Sequence, residues 1–315
     1  MKRESFTQTV KEELCANNYE SIDRYKALLA AYIRINGSIL FRSKQSYVSL
    51  STENAKIAKF IYKTIGDIYH FHPELTYHTR QNGATMYNIT FEEEKNAIIE
   101  DLEISFLEGK ISKNIVKNDD TISGYLAGAF LASGSVNSPK TSNYHLEISL
   151  SSENYAKWLA KLFGKYHNSD IEPKITKRRE KYIIYFKKSD QIANFLIMIG
   201  AVSSCMEFEN VRVDRDFMNS ANRLTNMDTA NLKKSIEAGK RQIMEIKSID
   251  EKLGIDNITN IKVRELCKIR LENENASLNE LANLLSTNLD KPITKSNINH
   301  LFRSIHEMYE RMNKS

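Results

Sequence analysis

The sequence predicts an α+β protein in two parts: a duplicated αββαββα unit, then a connector and an all-α module of three helices. Three observations carry that expectation. The segment Leu50-Ser51-Thr52-Glu53-Asn54-Ala55 returns as Leu150-Ser151-Ser152-Glu153-Asn154-Tyr155, which marks an internal repeat. Breakers are scarce, with Gly 11 and Pro 4 in 315 residues, so the chain leans helical. From about Ile261 onward the apolar residues fall at helical spacing, without strand-like alternation.

Each copy of the motif closes an alternating, strand-like segment (Tyr47–Leu50; Tyr144–Leu150) and opens a helix. Ser or Thr at that junction is the expected N-cap, because its hydroxyl satisfies a free backbone N–H of the first turn. The helices that follow carry Ile57, Phe60, Ile61 and Ile65 in one copy and Trp158, Leu159 and Leu162 in the other. Upstream, Ala27–Gly37 matches Gly124–Gly134; the slightly shorter offset there fits a longer hairpin, Val136–Asn143, in the second copy. Downstream, copy one offers strands Glu74–Arg80 and Thr85–Phe91 and a helix Glu92–Leu102. Copy two offers Ile171–Arg178, Lys181–Lys187 and Ser189–Ile199. The helix that opens each copy bears small residues one turn apart: Ala27 and Ala31, then Gly124, Gly128 and Ala132. Such a stripe lets two helices meet backbone to backbone. A glycine inside a helix costs ~1 kcal/mol against alanine, so Gly128 needs a packing role.

The connector is read as a strand, Glu207–Val213, an Asn-rich stretch of turns and caps over 222–231, and a helix from about Thr229 to Leu253. That helix has an apolar stripe (Leu232, Ile236, Ile243, Ile246, Ile249, Leu253) and lysines elsewhere, which either touch phosphate or are solvated. The final module has helices at about Ile261–Leu271, from the capping box Ser277/Glu280, and from Thr294 to about Met312. Val263, Leu266 and Ile269 turn inward in the first, and Leu278, Leu281, Ala282 and Leu285 in the second. On the last helix Ile298, Leu301, Phe302, Ile305 and Met308 form the apolar side. Lys295, Ser296, Asn297, Asn299, His300 and Arg303 lie toward its polar first half, which is where a helix-turn-helix presents residues to base edges and phosphates. His306 is expected to be solvated. The assigned spans are 1–205 (repeats about 22–104 and 121–200), a connector 206–255, and 256–315 with the helix-turn-helix at about 277–310.

Composition bounds the function. Apolar residues at 41% and charged residues at 27% exclude a disordered or collagen-like chain. The formal charge of +5 permits a nucleic-acid partner without requiring one. The charge is unevenly placed. Lys174, Lys177, Arg178, Arg179, Lys181, Lys187 and Lys188 face Glu180 alone in the last two strands of copy two, a pattern that attracts phosphate by counterion release. The matching strands of copy one have Arg80 and His70, His72 and His78 nearby. His70 and His72, without a third partner at defined spacing, do not make a metal site. Cys15, Cys205 and Cys267 lie far apart, so neither a disulfide framework nor a zinc site is expected, and no cofactor is implied. The segment Met1–Leu14 lacks the apolar core of a secretory signal. The longest apolar runs, near Tyr125–Ala132 and Phe195–Val202, fall short of the ~18 residues that span a bilayer. A cytoplasmic protein without membrane contact is expected.

Leu126-Ala127-Gly128-Ala129-Phe130-Leu131-Ala132-Ser133-Gly134 resembles the LAGLIDADG motif of homing endonucleases, and Leu29–Gly37 resembles a worn copy. The resemblance implies two motif helices at a pseudo-two-fold axis, two four-stranded sheets forming a saddle over duplex DNA, and a monomeric chain. In active members the acid before each closing glycine binds the divalent cations of cleavage. Those positions are Asn36 and Ser133 here, and neither supplies the charge that hard cations require, so no catalytic residue and no metal are assigned. Joined to a helix-turn-helix, the repeat is similar to the WhiA family of bacterial regulators. Further segments carry that likeness: Gly134-Ser135-Val136-Asn137, Tyr144–Ile148, Phe208-Glu209, Val211-Arg212-Val213, Asn222-Arg223-Leu224, Ile293–Ser296 and Asn299-His300. The family likeness implies a nucleoid-associated, non-enzymatic DNA-binding transcription factor linked to sporulation, cell division and chromosome segregation. Phe302 and Ser304 depart from the more basic residues expected there. The competing classes are a metal-dependent endonuclease or maturase and a scaffold that holds a protein on the saddle.

Overall fold

The computed structural model describes residues 5–42, 45–81, 83–92, 97–105, 114–141 and 143–314. After α1 (Phe6–Ala16) the first repeat runs α2 (Ile22–Asn36), β1 (Gly37–Arg42), β2 (Gln45–Thr52), α3 (Ala55–Tyr69), β3 (Glu74–Thr79), β4 (Thr85–Glu92) and α4 (Ile98–Asp101). The second runs α5 (Asp119–Ser133), β5 (Gly134–Val136), β6 (Leu146–Leu150), α6 (Glu153–Phe163), β7 (Lys174–Arg178), β8 (Lys181–Phe186) and α7 (Ser189–Ile199). Both sheets are antiparallel, with strand orders β1-β2-β4-β3 and β5-β6-β8-β7, so the duplication holds at the level of topology. Then come α8 (Val202–Leu253), α9 (Ile261–Glu272), α10 (Leu278–Leu289) and α11 (Lys295–Asn313). The chain separates into two units, Met1–Arg215 and Asp216–Ser315. Of the expected helix Glu92–Leu102, residues 93–96 lie outside the described set. Residue 142 of the expected hairpin Val136–Asn143 does so too.

Period-2 alternation explains why each sheet has one dry face. Val48 and Leu50 pair with Phe91 and Ile89, and all four are buried against the helices. Leu146, Ile148 and Leu150 do the same in the second sheet, opposite Phe186, Ile184 and Tyr182. At the junctions the two copies differ. Ser152 caps α6, accepting from Tyr155 N at 3.4 Å. The cap of α3 is Asn54, not the expected Ser or Thr: its Oδ1 accepts from Lys56 N and Ile57 N at 2.9 and 3.2 Å. Thr52 instead accepts from Asn54 N, which tightens the turn that brings Asn54 into place.

The small stripe does the work anticipated for it. A Cβ on Gly128 would lie 2.1 Å from Leu28 O, and one on Gly124 would lie 2.4 Å from Arg24 O. α2 and α5 therefore touch backbone to backbone, with Ala27, Ala31 and Ala127 fully buried. Arg24 closes one end of this seam, pairing with Asp120 at 3.1 Å and lying over the Tyr19 ring.

Three segments differ from the sequence reading. α1 was not anticipated, although Phe6, Val10 and Leu14 recur at helical spacing and are buried. Thr7 Oγ1 donates to Val136 O and accepts from Val136 N, at 2.8 and 2.9 Å, so α1 satisfies the edge of β5. The second concerns Glu207–Val213, which is helix rather than strand, because α8 begins at Val202. Glu13 of α1 accepts from Ser203 N, Ser204 N and Ser204 Oγ, which satisfies the first turn. Cys205 and Phe208 are buried and Arg212 is tied to Asp190 and Glu209. That 3-4 spacing is helical, and the apparent alternation was its shadow. The Asn-rich stretch is helical too. Thr225 and Thr229 turn their hydroxyls onto Ala221 O and Thr225 O, at 3.0 and 2.8 Å, so they do not compete for a turn.

The thiols of Cys15, Cys205 and Cys267 are free. Burial pushes Cys15 and Cys267 up to about 12. No helix among the described residues is long and apolar enough to cross a membrane. Lys11 lies 5.7 Å above the Phe130 ring, and burial lowers its pKa from 10.5 to about 8. The unfolded chain thus binds this proton more tightly than the folded one. Below pH 8 the penalty is fully present, and it disappears as pH rises to 10.5. Lys11→Met is expected to stabilise the first unit by roughly 1–2 kcal/mol below pH 8 and by much less near pH 10.5. Urea unfolding at the two pH values measures the difference; an equal effect at both would rule out the charge as its cause.

Candidate nucleic-acid interface

The helix-turn-helix is set by its caps. Asn260 starts α9, accepting from Lys262 N at 3.0 Å. Ser277 and Glu280 form the expected capping box on α10: Glu280 N donates to Ser277 Oγ at 3.3 Å and Ser277 N to Glu280 Oε2 at 2.7 Å. The hydrogen bond from Ser277 holds the Glu280 carboxyl below its usual range. Asp290 ends α10 in the left-handed region, with φ 50°. Ser286, which no sequence signal singles out, fixes the turn by accepting from Ile293 N at 2.9 Å. Thr294 caps α11 through Asn297 N at 3.3 Å. Leu266, Leu285, Ile298 and Ile305 are fully buried between the three helices. Phe302 is 7% exposed: it belongs to this core, which is why no basic residue stands there. Ser304 donates to His300 O.

The structure divides the anticipated reading face of α11. Ser296, Asn297 and His300 are exposed and lie outside the groove that α11 forms with α8. Asn297 Oδ1 also receives the Thr294 hydroxyl. Lys295, Asn299 and Arg303, at helical spacing, line that groove. His306 lines it too and is exposed, as expected; its Nδ1 lies 2.8 Å from Glu245 Oε1, and Glu245 is 3% exposed. The α8 stripe is drier in its C-terminal half than at its start. Ile246 and Ile249 are buried with α9–α11, while Leu232 and Ile236 are exposed.

In the first unit, register decides which cations act together. Lys174, Thr176 and Arg178 stand opposite Tyr185, Ile183 and Lys181, and directly paired residues share a face. Lys174, Arg178 and Lys181 therefore lie on the face turned away from the helices. Lys177 lies on the other face, its Nζ 5.6 Å from the Tyr182 ring. Arg179 takes the turn with φ 54°. Glu147 shares the open face and meets Arg178 at 3.3 Å and His145 at 2.9 Å, so that face is less positive than the run of letters implied. The open face of the first sheet is built differently. Ser49, Ser51, Thr76, Asn88 and Thr90 lie on it with Glu74, His78 and Met86 by the same register, with Ser51 Oγ donating to Asn88 Oδ1 at 2.8 Å. Arg80 is engaged by Glu53 at 2.9 Å.

Asn36 and Ser133 end α2 and α5 at equivalent places. Asn36 Oδ1 accepts from Ser51 N at 3.1 Å. Ser133 Oγ is buried and has no partner among the described residues. No group of three or more His, Cys, Asp or Glu among the described residues could hold a metal ion. His72 stacks on Tyr62, and His70 caps α3 in the left-handed region.

Three family models match in chain order. They are the WhiA N-terminal LAGLIDADG-like domain at residues 23–105, the WhiA LAGLIDADG-like domain at 122–218, and the WhiA C-terminal HTH domain at 221–309. A probable cell division protein WhiA of Enterococcus faecalis is 38% identical over 313 residues, covering 98% of each chain. The chain belongs to the WhiA family. A second WhiA relative, from Staphylococcus aureus, is 35% identical and covers 98% of this chain and 97% of its own. The full-length DUF199/WhiA crystal structure from Thermatoga maritima matches with a TM-score of 0.59 at 24% identity, covering 98% of each chain. At that identity the structural match speaks for the fold, which is the WhiA combination of LAGLIDADG-like and HTH domains.

Proposed function

We propose that this WhiA-family chain is a double-stranded-DNA-binding regulator of transcription that serves cell division and chromosome segregation at the nucleoid, and that it has lost nuclease chemistry. The observation that supports this best is the first half of α11. It is exposed and polar, and it is seated on a helix-turn-helix whose turn and caps are fully hydrogen-bonded. Ser296, Asn297 and His300 take the base-facing role, and Lys295, Asn299 and Arg303 contact the strand beside them. Lys174, Arg178 and Lys181 add phosphate contacts from the second sheet, with Arg179 at its tip and Lys177 behind it. The hydroxyl-rich, cation-poor first sheet favours a second use of the saddle, as a seat for a protein partner. Loss of cutting follows from Asn36 and Ser133, which carry no charge to balance Mg²⁺.

The test pairs duplex binding with cleavage. Arg303→Ala and Lys295→Ala should each weaken binding by ~1–3 kcal/mol. Lys174→Ala and Lys181→Ala should lower the slope of log affinity against log salt by ~1 each. Unchanged affinity in the α11 variants would favour the scaffold reading. Magnesium-dependent nicking that disappears in Asn36→Ala or Ser133→Ala would overturn the non-enzymatic one.

A further inference from the structure

The groove between α8 and α11 has a volume of about 620 Å³. Lys234 and Arg241 line it from α8, Lys295 and Arg303 from α11, and Arg270 from α9. Among the described residues lining it, the one carboxylate is Glu245, and that group is already engaged by His306 at 2.8 Å and Arg241 at 3.9 Å. Cations on two facing walls repel one another unless an anion lies between them.

Arg270 makes this more than a charged surface. It is 4% exposed. Its Nη1 donates to Ala276 O at 2.6 Å, while its Nε is buried with no partner among the described residues. Burial holds its pKa below the ordinary guanidinium value. A Cβ on Gly239 would fall 2.3 Å from Arg270 Nη2, so the glycine in α8 leaves the room in which this guanidinium sits. A buried charge with an unused donor is costly until an anion approaches it. Guanidinium and ammonium groups arranged around one cleft are the usual recognition set for phosphate.

We propose that this groove is a phosphate-binding site, in which α8 and α11 hold adjacent phosphate groups between Lys234, Arg241, Lys295 and Arg303 above the buried Arg270. The inference deepens the DNA reading and shares Lys295 and Arg303 with it. Lys234, Arg241 and Arg270 have no part in that reading. Adjacent phosphates occur in a DNA strand and in a free nucleoside polyphosphate, and the groove chemistry is common to both.

The test uses the full chain and inorganic tripolyphosphate, followed by titration calorimetry at low salt. One site is expected, weakened about tenfold or more by Lys234→Ala and by Arg241→Ala and unchanged by Lys252→Ala, an exposed lysine of α8 outside the groove. Both groove lysine and arginine variants alter exposed positions, so the fold should survive; Arg270→Met is read only if its circular dichroism matches the parent. Displacement of tripolyphosphate by duplex assigns the groove to the DNA backbone. Displacement by ATP but not by duplex assigns it to a free nucleotide. Absence of binding at millimolar tripolyphosphate, or affinity indifferent to both Lys234→Ala and Arg241→Ala, overturns the proposal. No duplex binding by the parent chain, with tripolyphosphate binding intact, would sink the reading of α11 and leave the groove standing.

Discussion

Gly128→Ala is expected to lower the melting temperature of the first unit by roughly 4–8 °C. The added methyl would sit 2.1 Å from Leu28 O and 2.8 Å from Leu28 C. Those atoms are helix backbone, so they cannot swing aside as a side chain would. The two motif helices must separate, and contacts made by Ala27, Ala31 and Leu126, all fully buried, loosen with them. Alanine gains ~1 kcal/mol of helix propensity over glycine. Overpacking against a rigid wall costs ~3 kcal/mol or more, and a unit of this size loses ~2–4 °C per kcal/mol. Gly164→Ala is the control, since its φ is −76° and the nearest atom to the new methyl is 3.8 Å away. Calorimetry of both variants decides the matter: a Gly128→Ala transition within about 2 °C of the parent would mean that the seam is looser than the structure shows.

The second large effect belongs to the other unit. Leu285→Ala should destabilise residues Asp216–Ser315 by ~2–5 kcal/mol. Leu285 is fully buried on α10, in the cluster that includes Leu266, Ile298 and Ile305. A unit of this size typically has ~5–15 kcal/mol in total, so the cavity removes a large share of it. Hydrogen exchange should speed up through α9–α11 while the α2–α5 amides keep their protection. Duplex affinity should fall with the folded fraction. Protection lost equally in both units would show that they unfold together, contrary to their separate cores.

Much of this fold is written locally. The repeat, the small stripe and the caps at Ser152, Ser277 and Thr294 are readable because each depends on neighbours within a turn or two. Two of the errors share a cause. Helix or strand at Glu207–Val213 is decided by Glu13, nearly two hundred residues upstream, and α1 itself is held by Val136 and Ser203–Ser204. No window of sequence contains both partners. The interface was legible in kind but not in arrangement. Basic letters in a row could not say that Lys177 falls behind the sheet or that Glu147 shares the face with Arg178. A helical projection grouped Lys295 and Arg303 with His300, whereas α8 draws the first two into a groove. Arg270 could have been found, since Val263, Cys267 and Arg270 share one helical face and all are buried.

The ties of α1 also order events in time. During synthesis this helix leaves the ribosome well before either partner exists. Val136 follows Thr7 by 129 positions and Ser203 follows Glu13 by 190. Until then Thr7 and Glu13 lack these partners, and the helix has α3 beside it, where Lys56 pairs with Glu12. The closing of the N-terminal unit is therefore a late event set by the arrival of distant chain. The same helix supplies the carboxylate for the first turn of α8, so the seating of α1 and the start of the long helix are tied through Glu13.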